Sequence, residues 1–168
     1  MPIKTTNPAT NEVVKDFKEM TKAAVDQSVT QAVETYASWK KTEYAFRAEL
    51  LFKVAGLLRT KKRELARLIT LEMGKLVEQA EGEIKLSAEI FSYYAQNAEA
   101  FLEDKILAPT HGQALVRHSP IGVILGIQPW NFPFYQVARF AAPNIMVGNT
   151  ILLKHASIVP QCAIAIEE

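Results

Sequence analysis

The sequence has 168 residues, of which 49% are hydrophobic and 22% are charged. This composition is typical of one folded domain and excludes general disorder. The formal net charge of +1 gives no general attraction to nucleic acids or membranes, and no apolar run is long enough to span a bilayer. The composition therefore predicts a protein whose partners are neither nucleic acids nor membranes.

The cysteine and histidine residues bear on location and metal binding. One cysteine, Cys162, excludes an internal disulfide, and the first residues lack the apolar segment of a secretory signal. We therefore expect a cytoplasmic protein. His111, His118 and His155 lack the spacing of metal ligands, so we expect surface or hydrogen-bonded histidines and no metal site.

Helical spacing of apolar residues extends over much of the first hundred residues. It predicts a helix over 23–40 with Thr21 as its N-cap. A second helix is expected from Thr42 to a stop at Gly74, and a third over 77–103.

The charged residues of these helices are interpreted as solvent-facing. The second helix carries the basic residues Arg59, Lys61, Lys62, Arg63 and Arg67. No aromatic residue is interleaved with them to stack on bases, and Glu64 interrupts them, which favours a solvated face over a nucleic-acid site. Glu81 and Glu83 of the third helix are likewise expected to face solvent.

The pattern then changes to that of a β-α-β unit. Residues 113–119, between a glycine and a proline, could form an extended segment or a hairpin arm. The run 121–127 is apolar on both faces, as in a strand buried on both sides of a parallel sheet. An apolar helix over 134–147 and a second strand over 150–154 complete the unit.

The last residues begin a further element. Pro160 fits the first turn of another helix. Only two parallel strands precede it, and two strands do not make a stable buried parallel sheet. We therefore expect the chain to be the opening portion of a longer α/β protein.

Two polar loops are expected at one edge of this sheet. In open α/β sheets ligands bind beyond the carboxyl ends of the strands, where residues 128–133 and 154–157 both emerge. In the first loop Asn131 lies between Pro129 and Pro133, and its amide could stabilise an oxyanion. The alternative is an amide that only closes the turn.

Other side chains near these loops leave two interpretations open. Lys154 could meet a phosphate or a ribose hydroxyl, or could be a solvated strand terminus. Arg139 is the only charged residue of an apolar helix, so we expect it to need an anionic partner. That partner is either a structural carboxylate or a substrate carboxylate, because Tyr135 and Arg139 lie one turn apart, leading away from Asn131. Cys162 has no obvious base nearby and is interpreted as a buried, inert thiol.

Several segments, in this order and spacing, resemble the N-terminal part of the NAD(P)-dependent aldehyde dehydrogenase superfamily. The matching segments are Asn7-Pro8-Ala9-Thr10, Leu71-Glu72-Met73-Gly74-Lys75, Ser119-Pro120-Ile121-Gly122-Val123, Pro129-Trp130-Asn131-Phe132-Pro133, and Gly148-Asn149-Thr150 leading to Lys154. The resemblance covers essentially all of the 168 residues.

The resemblance implies roles for the loop residues. Asn131 would be the oxyanion-hole amide that stabilises the thiohemiacetal formed when a catalytic cysteine attacks the aldehyde. Lys154 resembles the lysine that contacts the adenosine ribose of the cofactor. The residues that match the wall of the cofactor site are Ile127, Gln128, Pro129 and Trp130. The family's catalytic cysteine, and the glutamate that assists thioester hydrolysis, come downstream of Glu168, and Cys162 does not occupy the nucleophile's position.

One departure from the family pattern bears on the choice between NAD and NADP. Many members carry Lys-Pro-x-Glu where this chain has Lys154-His155-Ala156-Ser157. A carboxylate there would hold a ribose 2′-hydroxyl and repel a 2′-phosphate, whereas Ser157 removes that repulsion. With Arg139, this segment looks most like that of bacterial succinate-semialdehyde dehydrogenases, whose substrate carries a carboxylate.

The resemblance also implies how the chain is organised. Residues 1–168 would be a partial cofactor-binding domain of α/β class, with the catalytic domain absent. It would comprise N-terminal helices over about 21–104, an oligomerisation arm over about 102–120, and the start of a parallel Rossmann-like sheet over about 121–154. The arm implies a homo-oligomer, and the chain alone is expected to be inactive. The alternative is a naturally short, non-catalytic interaction or assembly module.

Overall fold

The computed structural model describes residues 3–168 and has six helices and three two-stranded sheets in that range. The predicted α/β class is confirmed. The range predicted for the partial cofactor-binding domain, 1–168, includes residues 1 and 2, which lie outside the described residues. None of the helices within residues 3–168 has the length and hydrophobicity of a membrane-spanning segment.

The described chain begins with an antiparallel hairpin that the sequence did not predict. Strand β1 (Ile3–Thr6) pairs with strand β2 (Val13–Phe17). The buried Thr5 hydroxyl donates a hydrogen bond of 2.5 Å to a carboxylate oxygen of Glu72. This contact attaches the hairpin to the helices that follow.

The first predicted helix is confirmed, and the second is wrong in its continuity. Helix α1 (Lys22–Trp39) begins after Thr21, whose hydroxyl accepts a hydrogen bond of 3.2 Å from the N–H of Ala24. Where one helix was predicted as far as Gly74, the chain forms α2 (Tyr44–Thr60) and α3 (Lys62–Met73), and the first of these begins after Glu43 rather than Thr42.

The break between α2 and α3 allows the two helices to pack in different clusters of the core. Leu51 and Ala55 of α2 belong to one cluster, and Leu65 and Ile69 of α3 belong to the other. A single straight helix would present its apolar side chains along one face, and so toward one cluster only. The break at Lys61 therefore follows from packing between distant segments, which periodicity does not record.

Helix α4 (Val77–Phe101) spans both clusters. Ala80 and Ile84, nearer its N-terminus, belong to the cluster around α3, and Ala88 and Phe91, farther along, belong to the cluster around α2. Beyond it, β3 (Lys105–Leu107) and β4 (Ala114–Val116) form the antiparallel hairpin that was one of the two predicted possibilities. The assignment of this hairpin to oligomerisation stays a prediction.

The predicted β-α-β unit is present. Strand β5 (Val123–Gln128) and strand β6 (Thr150–His155) are parallel neighbours, joined by α5 (Pro133–Val147). Helix α6 (Pro160–Glu167) begins with the predicted proline in its first turn.

The expectation that β5 is buried on both sides is wrong. Gly126 faces α5 and lies against the ring of Phe140 so closely that a Cβ atom would overlap it. On the other face Leu125 is 59% exposed and Ile127 is 71% exposed. Because successive side chains of a strand point to opposite faces, the helix covers one set and leaves the other open.

The beginning of both strands is fixed by the turn after α5. Gly148 adopts a left-handed conformation with φ 108°, which glycine reaches without strain and which ends the helix. The next residue, Asn149, is buried, and its side-chain oxygen accepts hydrogen bonds from the N–H groups of Ile121 and Gly122, at 2.7 and 3.1 Å. This turn ties the start of β6 to the segment that leads into β5.

Candidate active site

The candidate site lies where β5 and β6 end side by side. In the parallel register Ile127 pairs with Lys154, and Gln128 pairs with His155. The chain beyond β5 forms the loop 129–132 and then enters α5. The predicted site residues that are exposed here are Ile127, Pro129, Trp130, Asn131, Lys154 and Ser157, whereas Gln128 is half-buried. The structure therefore brings the two predicted polar loops to one edge, while the roles of their residues stay predictions.

A lysine from the helical layer holds the backbone of the first loop. Lys75 lies between α3 and α4, and its Nζ donates a hydrogen bond of 2.9 Å to the carbonyl oxygen of Asn131. The same ammonium lies 3.6 Å from the centre of the Phe132 ring. A cation over an aromatic face is attracted by the ring's quadrupole, so Lys75 contacts two successive residues of the loop.

Glu83 is buried, and the expectation that it faces solvent is wrong. Its Oε1 accepts hydrogen bonds from the backbone N–H groups of Phe134 at 2.9 Å and Tyr135 at 3.2 Å, and Oε2 forms an ion pair with Lys75. The first N–H groups of a helix have no partner within the helix, and a carboxylate there also favours the helix dipole.

The sequence contained a signal for this burial. Glu83 lies three residues after Ala80 and four before Ser87, and both of these are buried on α4. Residues at this spacing share one face of a helix. A charged residue within a buried stripe requires a partner, and the partner in this case is the N-terminus of α5.

His155 connects the two loops. Its Nδ1 accepts a hydrogen bond of 2.8 Å from the N–H of Ala156, which places the proton of the neutral ring on Nε2. Nε2 lies 2.9 Å from the carbonyl oxygen of Pro133 and donates to it. Burial lowers the pKa of the imidazole, against the opposing effects of the Pro133 carbonyl and of Glu72. The neutral ring thus fixes the end of β6 against the start of α5.

The side-chain amide of Asn131 is left free by these contacts. It is exposed, and within residues 3–168 it makes no hydrogen bond to the protein. Phe132, the residue before α5, also provides no side-chain cap. Within residues 3–168 the Asn131 amide makes no hydrogen bond that closes the turn, and backbone groups bonded to Lys75 and His155 hold the turn instead. The oxyanion role of Asn131 stays a prediction.

The expectation that Arg139 is buried is wrong, and of its two possible partners the structural carboxylate is not found within residues 3–168. The side chain is exposed, because α5 turns this position away from the core. Its guanidinium carbon lies 5.7 Å from the centre of the Tyr135 ring, and that ring packs edge-on against Phe132 at 5.9 Å. No carboxylate of residues 3–168 forms an ion pair with it. The guanidinium is thus available to a ligand, at the end of a short row of aromatic rings.

Lys154 and Ser157 are exposed at the other loop. Neither makes an ion pair or a hydrogen bond through its side chain to another residue in the range 3–168. A free ammonium beside a loop that lacks a carboxylate suits a ligand with phosphate or hydroxyl groups. These residues therefore fit a nucleotide cofactor of the predicted kind.

A second buried carboxylate, which the sequence did not predict, lies at the start of α6. Glu72 accepts hydrogen bonds from the N–H groups of Gln161 and Cys162 at the start of α6, at 2.9 and 2.8 Å. The Cys162 thiol is fully buried, as expected for an inert residue, and burial together with the Glu72 charge raises its pKa far above the ordinary value. A thiol in this state is a poor nucleophile.

Among residues 3–168 no group of His, Cys, Asp or Glu side chains is arranged to hold a metal ion.

Sequence relatives of the whole chain are enzymes about three times as long. The chain is 46% identical over 167 residues to the succinate-semialdehyde dehydrogenase [NADP(+)] of Deinococcus radiodurans, a match that covers 99% of this chain and 35% of that protein. It is 45% identical over 168 residues to a probable succinate-semialdehyde dehydrogenase [NADP(+)] of Synechocystis, covering 100% and 37%. The chain thus spans about a third of the length of these relatives.

Solved structures share the same fold over this length. A structure of the protein Gox0499 superposes with a TM-score of 0.98 at 42% identity, covering 99% of this chain and 37% of that one. The succinic semialdehyde dehydrogenase of Streptococcus pyogenes, solved with NADP+ as the cofactor, gives 0.95 at 41% identity, covering 98% and 36%. The sequence model of the aldehyde dehydrogenase family matches residues 1–168. This chain belongs to the aldehyde dehydrogenase family.

Proposed function

We propose that this chain is the N-terminal part of the cofactor-binding region of a longer dehydrogenase that oxidises an aldehyde to a carboxylic acid. The observation that carries the proposal is the free amide of Asn131, exposed on a loop whose backbone is bonded to Lys75. Electrostatic stabilisation needs a donor whose position is fixed before the reaction. The lengths of the relatives support a longer protein, because the chain covers 35% and 37% of two of them.

In the proposed reaction Asn131 donates an N–H to the oxygen that becomes negative when a thiolate attacks the aldehyde carbon. By resemblance the thiolate and the glutamate that assists thioester hydrolysis come from the remainder of the protein. NADP+ or NAD+, when bound, supplies the acceptor for the hydride. Residues 127–130 would line its site, and Lys154 would contact its ribose or phosphate groups. The exposure of Ile127 and Trp130 supports this, since an open apolar wall at a strand end is typical of such sites.

The proposal includes a preference for NADP+ over NAD+, which Ser157 controls. Replacing Ser157 by glutamate is expected to lower kcat/KM for NADP+ by about tenfold or more, because a carboxylate would repel the 2′-phosphate. The kcat/KM for NAD+ should stay the same or rise. Steady-state kinetics with both cofactors measure the ratio, and Ser157→Gln is the control of similar size without charge. An unchanged ratio in Ser157→Glu would contradict this role.

The proposed substrate is succinate semialdehyde or a similar short aldehyde acid. Arg139 supports this choice, since its guanidinium is exposed, has no carboxylate partner among residues 3–168, and continues the row formed by Phe132 and Tyr135. A guanidinium binds a carboxylate by two parallel hydrogen bonds. The names of two relatives also support it, because both are succinate-semialdehyde dehydrogenases.

Replacing Arg139 by alanine is therefore expected to act selectively. In the full-length enzyme, kcat/KM for succinate semialdehyde should fall about 10- to 100-fold, the usual effect of losing a charged hydrogen bond to a ligand. Butanal, a neutral aldehyde of the same chain length, should lose at most about twofold. Parallel kinetics on the two aldehydes check the prediction. Equal losses on both would exclude a contact between Arg139 and the substrate carboxylate.

The proposal also covers assembly and location. The hairpin of β3 and β4 is proposed to join subunits of a homo-oligomer, and its apolar side chains support this, with Ile106 83% exposed and Leu115 50% exposed. Exposed apolar side chains at this density are typical of an interface.

We also propose a cytoplasmic location, because a reducing compartment suits a single unpaired cysteine.

A further inference from the structure

We propose that Lys75 and Glu83 form a positioning pair that aims the Asn131 amide, so that a residue pair outside the catalytic loop contributes to the reaction rate. The inference rests on the proposed function, because it assumes that Asn131 donates to the oxyanion. Its starting point is a set of contacts that all lie on backbone atoms at one turn. Lys75 bonds the carbonyl of Asn131, and Glu83 bonds the N–H groups of Phe134 and Tyr135.

These contacts fix the backbone on both sides of Phe132. Pro133 has no N–H, so the first N–H groups of α5 open to a partner are those of Phe134 and Tyr135, and Glu83 accepts from both. Lys75 holds the peptide oxygen of Asn131 itself. Since the ammonium also lies over the Phe132 ring, the pair defines the direction in which the chain leaves Asn131.

The burial of Lys75 and Glu83 indicates that the pair affects the reaction through the backbone of the loop. The side chains of Lys75 and Glu83 are 8% and 0% exposed, whereas the amide of Asn131 is open to solvent. The Lys75 ammonium contacts the Glu83 carboxylate, the Asn131 carbonyl and the Phe132 ring, so its donors are already engaged within the protein. It is therefore placed to orient Asn131 and not to contact the substrate.

The energetic importance of such positioning is large. A displacement of a reacting group by about 1 Å lowers a rate by about 100-fold. A largely buried ion pair resists displacement, because separating its members leaves a buried charge without a partner. The pair thus provides a rigid support, without which the exposed loop would be free to move.

The test is a double-mutant cycle in the full-length enzyme, made of Lys75→Met, Asn131→Ala and the double variant. Lys75→Met alone should lower kcat about 10- to 100-fold, with KM for the aldehyde and for NADP+ within about threefold of the original values. In the Asn131→Ala background the same change should lower kcat by less than about threefold, because the amide that Lys75 aims is already absent. Lys75→Arg, which retains the charge and the donors, should recover part of kcat.

The matched control is Lys62→Met. Lys62 also forms an ion pair with a glutamate of α4, at 2.9 Å to Glu81, but it is 40% exposed and belongs to a different part of the surface. This variant should leave kcat unchanged in both backgrounds. If Lys75→Met does not fold, Glu83→Gln takes its place, since the glutamine oxygen can still accept from the N–H groups of Phe134 and Tyr135 while the charge that holds Lys75 is lost.

The outcomes separate this inference from the proposed function. If Asn131→Ala lowers kcat but Lys75→Met does not, or if the two losses multiply, the positioning pair is wrong and the oxyanion role stands. If Asn131→Ala leaves kcat unchanged, the oxyanion role fails and the inference fails with it. A loss of kcat in Lys75→Met that nearly disappears in the Asn131→Ala background supports the inference.

Discussion

Replacement of Asn131 by alanine in the full-length enzyme is expected to lower kcat by about 100- to 1000-fold, the usual effect of removing one oxyanion donor. The amide is exposed and makes no hydrogen bond to the protein within residues 3–168, so removing it should leave the fold intact. Its contribution arises only when charge develops on the aldehyde oxygen. Both kcat and kcat/KM should therefore fall by similar factors, and the affinity for NADP+ should be unchanged.

Steady-state kinetics measure this effect, and fluorescence titration with NADP+ tests the binding. Asn97→Ala is a suitable control, because Asn97 also carries an amide, which donates a hydrogen bond of 2.8 Å to the carbonyl of Tyr93 on the same helix, α4. It should leave kcat as it was. A near-normal kcat in Asn131→Ala would remove Asn131 from the mechanism.

Replacement of Glu83 by alanine is expected to give the largest loss of stability among the variants considered. The carboxylate is buried, pairs with Lys75 and accepts from two N–H groups of α5. Its removal leaves a buried ammonium without its ion-pair partner, and breaking a buried pair in this way costs about 3–5 kcal/mol. Denaturant unfolding of the full-length protein measures the free energy, and hydrogen exchange at Phe134 and Tyr135 should increase most.

Glu81→Ala is the matched control. Glu81 belongs to the same helix and pairs with Lys62 and Arg63, but both partners reach solvent. Exposed ion pairs contribute little to stability, so this variant should unfold close to the original protein. Equal stability of the Glu83 and Glu81 variants would show that the buried carboxylate has no special role in holding α5.

The sequence predicted the β-α-β unit well because each of its elements is marked locally. Two apolar runs and the glycine turn at Gly148 mark the boundaries of the unit. A proline likewise marks the start of the next helix, α6. The emergence of the loops after β5 and β6 at one edge followed from parallel topology alone, since the ends of neighbouring parallel strands lie together.

The sequence predicted less well what depends on contacts between distant segments. The break between α2 and α3 arises because the two helices pack in separate clusters. Lys75 contacts the backbone of Asn131, 56 positions away, and Glu83 contacts Phe134 and Tyr135, 51 and 52 positions away. No local pattern indicates such contacts. The spacing of Glu83 within the buried stripe of α4 was the one signal of its burial.

Side-chain burial was also overestimated at two positions. Arg139 was expected to be buried because its neighbours are apolar, yet its side of α5 faces outward. Ile127 was expected to be covered as part of a doubly buried strand, yet it is 71% exposed on the face opposite α5. Both errors come from inferring burial from hydrophobicity alone, which does not specify which surfaces other segments cover.

The intact mass of the native polypeptide that carries this sequence, measured from its source cell, decides whether the chain is part of a longer dehydrogenase. The chain has a mass of 18.8 kDa and covers 35% of its Deinococcus relative. The proposed dehydrogenase therefore requires a polypeptide nearly three times as heavy, with the cysteine that Asn131 would serve in its remainder. A mass of 18.8 kDa would contradict the account and would favour a short, non-catalytic interaction module.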